Sequence, residues 1–208
     1  MKTKDRILQT ALDQFNEHGS SKITTNHIAE TMSISPGNLY YHYRNKEAIV
    51  LKLWENMIDE INIPFHDNPT PDQSIEFIKF LHEFFGSTYK YRFFWLEMAV
   101  LVGKDPVLKE KYTNRARNLL HQYKQYVYNW HKSGMLLSSL SRSDLDQMIE
   151  NTFFLTQFWV LHTYIHEDEI TPENLLKGAG RIVRSMKPYL APDALILFEK
   201  IMTELNPK

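Results

Sequence analysis

From Asp72 onward the apolar residues return at helical spacing between breaks supplied by proline and glycine. No stretch shows the sustained alternation of period two that a half-buried strand requires. The pattern predicts helices over about 72–88, 90–102, 105–132, 141–166, 171–187 and 192–206, with breaks at Gly86, at Gly103 with Pro106, and at Gly134, Pro172, Pro188 and Pro192. The N-terminal quarter follows the same rule. Ile7, Leu8, Ala11, Leu12 and Phe15 form one stripe on a helix expected from Lys4 to His18, with Thr3 as its cap and Gly19 as its stop. A short helix from Thr25 to Met32 turns Ile28, Ala29 and Met32 inward. A longer one from Lys46 to Ile61 carries Ile49, Val50, Leu53, Trp54, Met57 and Ile58. Three prolines between Pro64 and Pro71 mark a loop. The expected fold class is all-α.

Composition narrows the function classes. The 208 residues suffice for a sizeable core, and a formal net charge of −1 excludes a chain that holds nucleic acid by bulk positive charge. The charge is uneven, however. Residues 1–46 hold six Lys/Arg against four Asp/Glu, about +2, and the remainder eighteen against twenty-one, about −3. The absence of cysteine removes disulfides and thiolate metal sites. The N-terminus is amphipathic, and no run approaches the ~20 apolar residues of a membrane span. A cytoplasmic protein with no membrane partner is expected.

The stretch Ser35-Pro36-Gly37-Asn38-Leu39-Tyr40-Tyr41-His42-Tyr43-Arg44-Asn45-Lys46 carries the chemistry. Ser35 caps a helix whose first residue, Pro36, has its φ already set, and Gly37 leaves the first turn bare. Asn38, Tyr40, Tyr41 and His42 are side chains suited to nucleic acid. Leu39 and Tyr43, four apart, anchor the helix to what lies beneath. Asn45 caps the next helix. The run Thr24-Thr25-Asn26-His27-Ile28-Ala29, then Ile34-Ser35, Gly37 to Tyr43 and Asn45-Lys46-Glu47, resembles the helix-turn-helix of the TetR family of bacterial repressors. One departure is Ser33, where the turn between the two helices usually carries glycine.

The resemblance implies a DNA-binding domain over 1–47 and a helical effector-binding and dimerisation domain over 48–208, bridged by the helix near 46–61. Its DNA-binding residues would be Thr25, Asn26, Ser35, Pro36, Gly37, Asn38, Tyr40, Tyr41, His42 and Lys46. It also implies a homodimer through the helices near 141–166 and 171–187, where Gly178 and Gly180 would allow close approach of another helix. Aromatic residues crowd the body, and most of them will fill its core. The candidates for lining an effector cavity are Phe80, Phe84, Phe94, Trp95, Met98, Tyr123, Phe154, Phe158, Trp159 and His162, which favour an apolar or aromatic molecule. His162 and His166 stand at i, i+4, but no third ligand is indicated, so no metal or cofactor is expected. No nucleophile elbow, phosphate-binding glycine loop or HExxH occurs, so an enzyme is not expected. The function that follows is a ligand-responsive repressor of a palindromic operator. An activator, or a constitutive DNA-binding protein without an effector, is the alternative.

Overall fold

The computed structural model describes residues 2–61, 63, 65, 71–167 and 169–205, with the side chains of 71–75, 78 and 201–205 excluded. The loop expected over Pro64–Pro71 lies largely outside the described residues. The helices are α1 (Thr3–His18), α2 (Thr25–Thr31), α3 (Pro36–His42), α4 (Lys46–Glu60), α5 (Pro71–Lys90), α6 (Arg92–Lys104), α7 (Pro106–Lys132), α8 (Arg142–His166), α9 (Pro172–Met186) and α10 (Pro192–Leu205). A 3-10 turn (Lys187–Tyr189) follows α9. The described residues contain no strand, and an isolated antiparallel bridge pairs Leu136 with Leu190. The fold is all-α.

Two expectations about helix ends change. Gly86 does not break a helix, because α5 runs through it to Lys90. A single glycine costs only about 1 kcal/mol in a helix interior, and the buried Phe77, Leu81, Phe84 and Phe85 before it and the buried Thr88 after it hold the turns on either side. Thr3 is not the cap of α1. Lys2 holds that position without a side-chain hydrogen bond, and Thr3 is already helical.

The chain divides into two compact units, Met1–Ile61 with Lys90–Tyr112, and Asn62–Tyr89 with Thr113–Lys208. The boundary expected at residue 47 therefore gives way to a discontinuous first unit that includes α4, α6 and the start of α7. Its core is Ile7, Ala11, Leu12 and Phe15 of α1, Ile28 and Ala29 of α2, Leu39 of α3, and Ile49, Val50 and Leu53 of α4, all buried. Phe93 of α6 joins it, its ring 5.2 Å from that of Phe15. Polar ties fix the later segments. Asn16 donates from Nδ2 to the Lys90 carbonyl (2.8 Å) and accepts from the Phe93 N–H (3.1 Å). Glu60 accepts from Lys90 Nζ (2.7 Å) and from the Tyr91 hydroxyl (2.8 Å). Glu55 accepts from Lys111 Nζ at 2.5 Å, and that hydrogen bond foremost holds its carboxyl below the usual carboxylate range. The chain crosses between the units after residues 61, 89 and 112. The helix near 46–61 is thus not the one link between them.

In the second unit α8 packs along α9. The Trp159 indole of α8 lies against Gly178 and donates from Nε1 to the Leu175 carbonyl (3.0 Å). A Cβ on Gly178 would stand 2.6 Å from Trp159 Nε1, closer than atoms approach. The small residue at 178 is therefore required by the close approach of another helix, and that helix is α8 of the same chain. Rings of α5 and α7 form a separate stack. Phe77 and Tyr123 lie nearly parallel at 5.9 Å, Tyr126 and Trp130 close around Phe77 at 5.5 and 5.6 Å, and Phe65 sits 5.2 to 6.3 Å from Phe77, Tyr123 and Tyr126. The Tyr123 hydroxyl shares a hydrogen bond with Thr152 Oγ1 (2.8 Å), and burial pushes the phenol up to about 12.

Candidate nucleic-acid interface

The candidate interface is built on two seven-residue helices, each too short to be stable alone. Their ends are therefore closely specified. Thr24 caps α2 by accepting from the His27 N–H (3.3 Å), while His27 Nδ1 accepts from the Thr24 N–H (3.4 Å). At the other end Ile34 N–H donates to the Ala29 carbonyl (3.0 Å) and Ser33 N–H to the Glu30 carbonyl (2.9 Å). This is the Schellman arrangement, whose turning residue must be left-handed. Ser33 is that residue, with φ at 53°, among the described residues the one non-glycine on that side. The expected turn is formed, with serine carrying the strain.

Ser35 then caps α3, its Oγ accepting from the Asn38 N–H (3.2 Å) with Pro36 in the first turn. Leu39 and Tyr43 are buried, so the helix is anchored from beneath as its spacing predicted. Burial, with the Asp5 carboxylate second, pushes the Tyr43 phenol up to about 12. The opposite face is open. Ser35, Pro36, Gly37, Asn38, Tyr40 and Tyr41 are exposed, Tyr41 at 85 %, with Asn26 of α2 exposed and Thr25 and His42 half-buried. The Tyr40 hydroxyl shares a hydrogen bond with Thr25 Oγ1 (3.0 Å), which links the two helices across the turn. The Tyr41 and His42 rings meet edge to face at 5.1 Å.

Lys46 begins α4, capped by Asn45, whose Oδ1 accepts from the Ala48 N–H (2.9 Å). Its ammonium donates to the Ser20 carbonyl (2.7 Å) and the Ile23 carbonyl (3.1 Å). Two of its three donors are thus engaged within the protein, by partners more than twenty residues away that no local pattern reveals.

The candidate effector residues are divided. Phe94, Trp95 and Met98 belong to the first unit, and Phe80, Phe84, Tyr123, Phe154, Phe158, Trp159 and His162 to the second. Within the second, Phe80, Phe84 and Tyr123 adjoin the ring stack. Phe154 (60 % exposed), Phe158 (41 %) and His162 face outward instead. The stack also includes Phe65, Phe77, Tyr126 and Trp130, absent from the candidate list. Phe65 lies among prolines, where no helical period reveals its direction. The His162 and His166 rings lie 4.5 Å apart and tilted, and no third His, Asp or Glu joins them in a metal-holding group among the described residues.

Residues 56–198, more than half of the chain, match the TetR family, described as bacterial transcriptional repressor. The chain belongs to the TetR family. Residues 7–53 match its N-terminal domain, described as bacterial regulatory proteins, tetR family. This TetR-family chain is 28 % identical to a TetR-family transcriptional regulator from Marinobacter aquaeolei VT8, whose crystal structure superposes with a TM-score of 0.82 over 97 % of this chain and 99 % of that one. SmeT in complex with triclosan shares the fold alone, with a TM-score of 0.67 at 15 % identity over 92 % and 93 %. The probable acrEF/envCD operon repressor of Escherichia coli K12 is 37 % identical over 54 residues, 26 % of this chain and 24 % of that protein. The regulator RutR of Escherichia coli O157:H7 is 30 % identical over 139 residues, 64 % of each. The chain thus spans less than two thirds of the length of the curated relatives it matches. Among the described residues no helix is long and apolar enough to cross a membrane.

Proposed function

We propose that this TetR-family chain is a transcriptional repressor that binds a palindromic operator as a homodimer and is released by a small apolar or aromatic effector. The observation that carries the reading is the open face of α3, where Asn38 and Tyr41 project from a capped helix anchored by Leu39. Asn38, Tyr41 and Pro36 meet base edges in the major groove, and Thr25, Tyr40, His42 and the remaining donor of Lys46 meet phosphates. Asn26, Ser35 and Gly37 complete the interface.

The dimer forms through the helices near 141–166 and 171–187. Support comes from α8, where Phe154, Phe158, Leu161 and Ile165 stand at i, i+4, i+7 and i+11 and are all exposed. A two-fold dimer requires an operator of inverted repeats with half-sites about one helical turn apart. The effector reading draws on the aromatic load of the second unit, and on solved proteins of this fold with triclosan or choline bound.

Selection of duplexes from a random pool by the purified full chain tests the DNA reading. The expected product is an inverted repeat, and recovery of unrelated sequences overturns it. On that duplex, Lys46→Ala should flatten the salt dependence by about two units of slope, one for each protomer. Native mass spectrometry of the purified protein should find a retained apolar compound whose addition releases the duplex. A compound that binds without releasing it would favour the constitutive alternative.

A further inference from the structure

We propose that Glu97 of α6 is a positioning residue for operator reading, acting through Ser20 on the loop that leads from α1 into α2. The inference rests on the assignment of α2 and α3 as the DNA interface. Ser20 is buried, and every polar group it has is held. Its N–H donates to Glu97 Oε1 (2.8 Å), its hydroxyl donates to Glu97 Oε2, and its carbonyl accepts from Lys46 Nζ. One residue of the loop is thus gripped by an anion from α6 and by a cation from α4. The same cation takes the Ile23 carbonyl, one residue before the cap of α2.

Gly19 makes the grip possible. Its φ is +82°, and a Cβ there would stand 2.9 Å from Glu97 Oε1. The carboxylate cannot drift, because the start of α6 is seated on α1: the Asn16 amide oxygen accepts from the Phe93 N–H, its Nδ2 donates to the Lys90 carbonyl just before α6, and the Phe15 and Phe93 rings meet. A helix of seven residues has too few internal hydrogen bonds to hold its own place. The path of the loop, set at Ser20 and Ile23, therefore fixes where α2, with Thr25 and Asn26, stands relative to α1.

A carboxylate in a DNA-binding unit is electrostatically unfavourable, since it repels phosphate at long range. If Glu97 acted only through its charge, its removal would strengthen binding to every duplex. If it positions the loop, removal weakens binding to the preferred duplex alone. The two roles predict opposite signs.

The experiment uses the full chain with Glu97→Gln and Ser20→Ala. Affinity is measured for the selected duplex and for an unrelated duplex of equal length across a salt series, with hydrogen exchange followed at residues 19–24. Glu97→Gln should lower affinity for the selected duplex about tenfold. It should leave the unrelated duplex as tight or tighter, keep the salt slope unchanged, and speed exchange at Ser20. Ser20→Ala, which loses only the hydroxyl, should move the same quantities by less. A folded Glu97→Gln protein that binds the selected duplex as well as the parent overturns the proposal. Should Glu97→Gln fail to fold, Ser20→Ala decides by the same criterion. If selection yields no preferred duplex at all, the DNA reading itself has failed, and the role of Glu97 falls with it.

Discussion

Helices α3 and α8 both display aromatic side chains to solvent, but the two faces differ in kind. On α3 the exposed rings are phenols, Tyr40 and Tyr41, set beside the Asn38 amide, so each carries a group that water can satisfy and a base edge or phosphate can replace. On α8 the exposed row of Phe154, Phe158, Leu161 and Ile165 is hydrocarbon. Burial of such a row gains free energy only against another apolar surface. The first face suits a hydrated polyanion and the second a dry protein partner. Each is backed by buried residues of its own unit, Leu39 beneath α3 and Trp159 beneath α8.

The largest effect is expected where the α8 row is charged. Phe154→Glu with Phe158→Glu should give monomers by analytical ultracentrifugation and weaken operator binding by about two orders of magnitude, the advantage that two linked sites confer. Residues 1–61 are untouched by that change, and a doubly substituted protein still dimeric would put the interface elsewhere. Ala179→Glu would be a poorer test, since Ala179 is buried within one chain and a charge there disturbs the fold. The inner side of α8 comes next. Gly178→Ala drives a methyl into the Trp159 indole and should destabilise the protein by about 3 kcal/mol in urea unfolding. An unaltered midpoint would show that Trp159 has room to move.

On α3, Asn38→Ala should relax preference at one base position by about 1–3 kcal/mol while binding to unrelated DNA holds. Equal loss on both would make Asn38 a backbone contact. The smallest effect belongs to the turn beneath that face. Ser33→Gly removes the left-handed penalty on a side chain and should stabilise the protein by about 0.5–1 kcal/mol with operator preference unaltered.

Local features were the legible ones. The Ser35 and Asn45 caps, the stop at Gly19, the strain at Ser33 and the inward Leu39 and Tyr43 are all encoded within a few residues of where they act, and the structure has each of them. Helical spacing puts Leu145, Met148, Ile149 and Trp159 on one face of α8 and Phe154 and Phe158 on the other. It could not say whether a face meets the same chain or another. The first row is covered within the chain, and the row with Phe154 and Phe158 is open. Contacts between distant segments left no mark in the pattern. Nothing around Glu97 announces Ser20, and nothing around Lys46 announces that its ammonium is engaged by two carbonyls. The assignment of α6 to the first unit was hidden for the same reason.

That discontinuous unit bears on how the chain is made. Asn16 and Ser20 find their partners on α6 only after 77 further residues, Phe93 and Glu97 respectively, have been added. At about 5–20 residues per second, the wait is roughly four to fifteen seconds. In that interval α1 to α4 exist without Phe93 over Phe15, so the first unit is not complete when its first 61 residues have been made. Nascent chains arrested with residue 61 outside the ribosome should remain open to protease at the Gly19–Thr24 loop. Protection there should arrive only once residue 112 has emerged.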